Sequence, residues 1–343
     1  MPSALPRPRG PISERLVDAL GRRPGALDHA TVAGPFPDDA LADDDLQLSL
    51  YLAYELHYRG LRGVDDRWEW DPALLTLRCE LELLFEAGLR AVATVPDDDV
   101  PGEEIDVALR AVAADDDGPS LSRFVAREAT ADQLRELLVH RSAYQLKEAD
   151  PHSFALPRLW GRPKSAMVEI QVDEYGGGRP DRIHADLFAR TMRAVGLDGA
   201  YGAYLDVIPG VTLATVNAAS LFGLHRRLRG ACVGHLALTE MTSSVPSRRY
   251  ATGLRRLGFD DPDATTFFDE HVEADAVHES IAAVDLAGGL VRQDRRLARD
   301  VLFGAAALAA LESRFAAMLM DAWTDDRTAL RRGAEAFAAP LAG

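Results

Sequence analysis

With 343 residues, 47% of them hydrophobic, the chain can bury a full core without disulfide or metal staples. Cys79 and Cys232 are its two cysteines, too few for a disulfide framework or a thiolate-only metal site, so any metal is expected on nitrogen and oxygen ligands. A formal charge of −16 disfavours nucleic acid and anionic membrane surfaces as partners.

Residues 1–45 mix Pro, Gly, Asp and Arg without a sustained apolar period and read as a loosely attached arm. The opening MPSALPRPRG lacks the apolar stretch of a secretion signal. No apolar run approaches the roughly 20 residues that cross a bilayer, Val301 to Leu311 being the longest, so a cytoplasmic location is expected. Residues 46–114 form an expected N-terminal helical region. Leu46, Leu48, Leu50, Leu52 and Leu56 are mixed in period, but the Leu- and Ala-rich composition from Asp45 to Gly60 favours helix. Asp71 as cap and Pro72 at the first position open a second helix running to Ala91.

The acidic, Pro- and Gly-bearing segment from Val95 to Pro119 is the expected boundary, with a short helix over Ile105 to Ala113 inside it. Beyond it, helices are expected over Ala131–Glu148, Ser165–Tyr175, Arg182–Val195, Thr212–Arg227, Ala231–Met241, Ser247–Leu257, Asp263–Leu286 and Gln293–Ala322. Val168 to Val172 alone invites a strand assignment, and no repeat at a fixed period points to a solenoid. The fold class this predicts is all-α.

The last third of the chain carries HVEADAVH, in which His271, Asp275 and His278 are four and seven residues apart. At about 100° per residue these steps return a side chain to within roughly 40° and 20° of its start, so one helix face offers two imidazoles and a carboxylate. That mixture of nitrogen and hard oxygen suits iron or manganese. Further ligands must come from other helices. Glu148 in KEADPH, Glu174 in VEIQVDEYGGG, His184 in RIHADLF and Glu240 in GHLALTEM all stand in more apolar surroundings than the solvated Asp runs. Glu240 is the most informative, because a buried ionised carboxylate costs several kcal/mol unless it is paired or metal-bound. Glu148, Glu174, Glu240 and Asp275 together would neutralise two ferrous ions.

Gly176, Gly177, Gly178 and Pro180 fall between Glu174 and His184 and should break the helix there. An unbroken helix would leave the two ligands about 80° apart. Glu55 and His57 in YELHYRG lie on opposite sides of a helix, so packing and hydrogen bonding are expected of them instead of chelation. His152 is expected to cap or orient a neighbouring group, His235 carries a similar non-ligand role, and His225 beside Arg226 and Arg227 reads as surface. Neither an H-E-x-x-H motif nor the paired Glu-x-x-His motifs of ferritin-like bundles occur, and the glycine run lacks the Lys and Ser/Thr of a phosphate loop.

Taken in order, Glu148 with DPH after it, DEYGGG, RIHADLF, TEM and HVEADAVH resemble the heme-oxygenase-like diiron oxidase and oxygenase family, also described as iron-containing redox enzymes, from residue 115 to about 325. The resemblance implies a heme-oxygenase-like bundle of about seven helices in residues 115–330, with the N-terminal helices as additions that cover the bundle or form a homodimer contact. It implies one iron on Glu148, His184 and His278, a second on Glu174, His271 and Asp275, and Glu240 as a bridging carboxylate and catalytic residue. It further implies two Fe(II) ions, O2 as co-substrate, an external electron donor, and a small substrate such as an amino acid, amine or fatty acid. N-oxygenation, desaturation or oxidative C–C cleavage in specialised metabolism would be the outcome, with an amino acid or related amine favoured. Arg158, Lys164, Arg182 and Arg249 are candidate carboxylate anchors. Two other readings remain: a cofactorless oxidase or hydrolase on the same fold, and a non-catalytic metal-binding helical protein.

Overall fold

The computed structural model describes residues 2–25, 27, 37–95, 100–115 and 118–331, without the side chains of 273–277. The described residues are helical and contain no strand, only one isolated bridge between Ser3 and Leu61. In chain order the α-helices are α1 (Pro11–Leu20), α2 (Asp44–Glu55), α3 (Pro72–Val92), α4 (Ile105–Ala114), α5 (Leu121–Arg127), α6 (Ala131–Gln145), α7 (Asp150–Ser153), α8 (Gly161–Glu174), α9 (His184–Ala194), α10 (Gly210–Leu224), α11 (Arg229–Arg256), α12 (Pro262–Ser280), α13 (Gly289–Gln293) and α14 (Ala298–Thr324). A π-helical segment, Ile281–Gly288, joins α12 to α13.

The helix starts carry local signals. Asp43, Asp71 and Asp261 accept backbone N–H bonds at the first turns of α2, α3 and α12, and Pro72 and Pro262 occupy first positions. Thr130 and Gln133 close a capping box on α6. The Val168–Val172 stretch is helical, and both valines lie on the exposed side of α8.

α11 is the axis of the bundle, packed against α14, α12, α5 and the π segment. Its first half, from Gly230 to Leu238, is buried on every face. Two helices were expected here, ending at Met241 and restarting at Ser247, but the structure has one helix through Pro246. Pro246 removes a single donor, to the Thr242 carbonyl, while Ala251, Gly253 and Leu254 beyond it are buried and keep the helix in place.

Residues 1–45 are not a loose arm throughout: α1 packs on α2, with Leu16 and Leu20 wholly buried. The weak period in this segment concealed a short amphipathic helix. The expected partition near residue 115 also does not follow the packing. Leu46, Leu50 and Tyr54 of α2 join one hydrophobic cluster with α11 and α14, while Leu48, Tyr51 and Leu52 join a second with α6, α9 and α12. A helix buried on all sides has no polar face, which is why its leucines showed no clean period. The N-terminal helices are therefore built into the bundle.

Among the described residues one segment, Arg295–Thr324, is long and apolar enough to cross a bilayer: its most apolar 18-residue stretch has a mean hydropathy of 1.5, but half of that stretch is buried inside the protein. Its apolar character faces α11. The two helices meet backbone to backbone: a Cβ on Gly234 would lie 1.8 Å from the Val301 carbonyl oxygen, and one on Gly304 would lie 2.0 Å from that of Ala231. Gly234→Ala should therefore force α11 from α14 and cost on the order of 1–3 kcal/mol. Gly88→Ala, whose added methyl would meet the Leu41 side chain at 3.2 Å, should cost clearly less. Urea unfolding of the two variants makes the comparison, and equal midpoints would contradict the close crossing.

Candidate metal centre

Each expected ligand stands where an element begins, ends or crosses α11. Glu148 is not helical as expected: α6 ends at Gln145, and Leu146–Ala149 form a turn before α7. Glu174 is the last residue of α8 and His184 the first of α9. Between them Gly176, Gly177 and Gly178 all have positive φ, of 68°, 61° and 79°. The expected break is thus present, and it folds His184 Nδ1 to 3.2 Å from Glu174 Oε2. Glu240 lies on α11, and His271 and His278 lie on α12. Asp275 is within the helical backbone of α12, but its side chain falls outside the described residues.

Glu148, Glu174, His184, Glu240, His271 and His278 are all buried. Ligand atoms of Glu148, His184 and His271 lie within 4.8 Å of one another, near the span of roughly 4 Å that two donors subtend across one ion. His271 Nδ1 donates to the Phe267 carbonyl at 2.7 Å, which turns Nε2 toward Glu148 Oε1 at 3.6 Å. This is the second-sphere arrangement that fixes a ligand imidazole. Glu174 adjoins through His184. At the other end, His278 Nδ1 is 3.3 Å from Glu240 Oε2, and His278 Nε2 is 2.8 Å from Asp173 Oδ2.

The resemblance groups His278 with Glu148 and His184. The described geometry brings His271 there and sets His278 beside Glu240. Seven residues are two helical turns, so the two imidazoles share a face while their backbone positions are offset by about 10 Å along the axis. His278 thus meets the cluster from the Glu240 side, and Glu240 itself borders the same small space as Glu148, Glu174 and His271.

The electrostatics fit a cation. Burial would raise the Glu174 carboxyl, but the charges of His184, His271 and His278 outweigh it and hold it down at about 2. Burial would lower His278, yet Glu240 and Asp173 raise it to about 9. His184 is raised as well, burial being outweighed by Glu174. Glu148 Oε2, Glu174 Oε2, His184 Nδ1 and His278 Nδ1 are buried without a hydrogen bond. Such atoms cost free energy until something accepts them, and a nitrogen and oxygen set of this kind suits iron or manganese. A cavity of about 20 Å³ between Glu148, Glu174, Glu240 and His271 is large enough for one water-sized species.

A second cavity, of about 260 Å³, opens on Glu148 and His271 and is walled by Tyr144, Leu238, Thr239, Tyr250 and Phe267. Its cation is Arg141, which donates to both oxygens of Glu312 at 2.7 and 2.5 Å and lies 4.4 Å over the Phe315 ring. The expected anchors Arg158, Lys164, Arg182 and Arg249 do not line it. Arg158 donates to the Gly223 and Leu224 carbonyls, Arg182 to Glu270 at 2.5 Å, and Arg249 to Ser120 and Ser122, while Lys164 is exposed. Arg141 was missed because RSAYQ carries no motif, and only its placement on the inner face of α6 marks it.

His57 hydrogen-bonds Glu69 at 3.0 Å. His152 and His235 form a buried imidazole pair at 3.0 Å, both lowered by burial. His225 was expected on the surface, but it is only partly exposed and lies 2.9 Å from Glu82, because the turn after α10 folds it onto α3. Asp173, adjacent to Glu174 in DEY, was also overlooked, although its contact with His278 is the shorter of the two that imidazole makes with carboxylates.

These shifts set a pH dependence for metal-free protein. His278, raised from 6.5 to about 9, contributes stability that is complete below 6.5 and is lost as pH rises through 9. Glu174, lowered from 4.5 to about 2, contributes stability present above 4.5 and lost as pH falls through 2. Melting temperatures of chelator-treated protein should fall on the alkaline side, and His278→Gln should flatten that limb. Metal affinity should climb over the same window, since binding displaces the His278 proton.

Residues 135–313 match the family described as iron-containing redox enzymes. A curated relative, nitrosourea synthase of Streptomyces achromogenes subsp. streptozoticus, is 34% identical over 137 residues, which is 40% of this chain. The match spans only 29% of the relative's own length. It falls on a protein whose helices bring buried carboxylates and imidazoles together, and the family match covers more than half of the chain, including every expected ligand. The chain belongs to the iron-containing redox enzyme family and has its all-α, heme-oxygenase-like fold.

Proposed function

We propose that this protein is an O2-dependent non-heme diiron oxidase or oxygenase acting on a small amine or amino acid. The observation that carries the proposal is the buried convergence of Glu148, His184 and His271 within 4.8 Å, with Glu174 beside His184. Glu148, Glu174, His184, Glu240, His271, Asp275 and His278 are the residues that would hold the metal. The chemistry a ferrous pair supplies when bound is two-electron reduction of one O2, without an organic cofactor.

The protein's own part is to neutralise, orient and exclude water. The carboxylates of Glu148, Glu174, Glu240 and Asp275 balance the charge of two divalent ions. Glu240, buried and bordering the same small cavity as Glu148, Glu174 and His271, would be the bridging carboxylate that the resemblance implies. His278, raised to about 9, carries a proton at neutral pH in the absence of metal and gives it up on loading. The larger cavity would take a small substrate carrying both charges at the Arg141–Glu312 pair, whose two members would exchange part of their mutual contact for the substrate's carboxylate and amine. The relative's name points the same way, because a nitrosourea contains oxidised nitrogen. External electrons would be needed where the reaction consumes more than the substrate gives.

Anaerobic loading with ferrous iron should give close to two irons per chain, and a stoichiometry near zero overturns the proposal. His278→Ala should lose one iron and all turnover with its far-UV circular dichroism intact. O2 uptake should accelerate only with the right amine or amino acid, and iron uptake without any such acceleration would leave a metal-binding protein. For the accepted substrate, Glu312→Gln should raise KM by more than it lowers kcat, as measured by oxygen-electrode assays across the amine series.

A further inference from the structure

The YELHYRG segment carries no ligand, yet its Glu55 is wholly buried and holds the ammonium of Lys147 at 3.1 Å. Lys147 is also buried, and its Nζ lies 4.7 Å from the Tyr51 ring centre and 4.3 Å from that of Tyr58. The Tyr201 hydroxyl donates to the same Glu55 oxygen at 2.6 Å. One turn beyond Glu55, Arg59 Nη2 donates to the Leu146 carbonyl at 3.0 Å and stacks 4.3 Å over Tyr201. Leu146 and Lys147 are the two residues immediately before Glu148, in the turn that follows the end of α6.

A side chain on a turn is not aimed by a helical ladder, so whatever ties the turn aims the side chain. The backbone bonds of the turn are Leu146 N to the Ser142 carbonyl at 3.4 Å, Lys147 N to the Tyr144 carbonyl at 2.9 Å and Asp150 N to the Lys147 carbonyl at 2.9 Å, and none of these three is made by Glu148 itself. From the other side, Gln171 Nε2 donates to the Ala149 carbonyl at 3.2 Å. An ion pair buried this completely is weak ground for stability, because desolvation offsets its Coulomb gain. Its geometric effect is not offset.

We infer that Glu55 and Arg59 of the N-terminal region are positioning residues for the metal centre, clamping the 146–147 turn so that the Glu148 carboxylate faces His184 and His271. The inference rests on the metal-binding reading of those three residues. It makes α2 part of the metal-binding unit, although the motifs of the resemblance begin only at Glu148.

Co(II) titration of the metal-free protein, followed by visible absorption, tests it together with apo melting temperature. The pair of substitutions Glu55→Leu with Lys147→Met removes both buried charges and should leave the apo melting temperature unchanged or higher. Co(II) affinity should nevertheless fall by about 10- to 100-fold, the usual effect of losing support behind a ligand. Arg59→Ala, at a half-exposed position, should keep the fold and weaken Co(II) binding in the same direction. A purely structural role predicts the reverse: a lower melting temperature with unchanged Co(II) affinity of the folded protein, and that result overturns the clamp. Parent protein that binds no Co(II) sinks the metal reading and the clamp together. Parent protein that binds, with both variants equal to it, sinks the clamp alone.

Discussion

The burial of several carboxylates in one small volume is the constraint that organises this protein. Glu148, Glu174 and Glu240 are nearly inaccessible to solvent, at 8%, 7% and 5% exposure, in a bundle whose remaining interior is largely apolar. Ionised groups in such a place need positive charge or they do not stay ionised. In the protein itself imidazoles stand against them: His184 faces Glu174, His271 faces Glu148, and His278 faces Glu240, with His184 and His278 both raised by their carboxylate partners. A protonated histidine and a divalent ion are alternative answers to one electrostatic demand. The same side chains can therefore stabilise the fold as ion pairs and give way to metal as coordinating groups.

That demand explains features which look unrelated along the chain. The glycine run after α8 has no packing role at Gly177 and Gly178, where an added Cβ would meet nothing, but its positive φ angles reverse the chain so that Glu174 and His184 meet. The glycine contacts between α11 and α14 bring two backbones within touching distance, while α11 also packs against α12. The π segment begins three residues after His278, and its wider turn changes the register of everything that follows. The helix carrying the imidazoles thus keeps an ordinary α period through His271 and His278, and the irregularity falls outside them.

Much of this was legible in the sequence because it is local. The i, i+7 relation of His271 and His278, the cap and proline at the start of α3, and the helix break at Gly176 all follow from backbone geometry within a few residues. The illegible parts depended on long-range packing. α2 reads ambiguously because amphipathic periodicity requires a solvent face, and Leu46 to Glu55 have none. Pro246 looked like a helix end because its missing donor is a local fact, whereas the burial of Ala251 and Leu254 that overrides it is not. Glu148 was read as helical because nothing in KEADPH says that α6 ends at Gln145. Which histidine stands beside Glu148 depends on the height at which α12 crosses that turn, a quantity no motif encodes.

The two cavities stand in a relation that neither motif nor fold alone supplies. Tyr144, Glu148, Thr239, Ser243 and His271 border both the small space among the carboxylates and the larger one beside it. A molecule occupying the larger space is separated from the cluster by the thickness of those side chains. Thr239 already donates its hydroxyl proton to the His235 carbonyl at 3.0 Å, so toward the cavities it has only lone pairs to offer. That wall is mostly apolar, built from residues such as Leu137, Leu138, Leu238, Phe267 and Phe268, and is broken by a few polar groups that include Glu148, Thr239, Glu312 and the Arg141 cation. A ligand that fits such a wall presents apolar surface to most of it and polar groups only at those few positions. These few polar positions set the cavity apart from a purely apolar one, and two expected ligands in its lining, Glu148 and His271, also border the small space among the carboxylates.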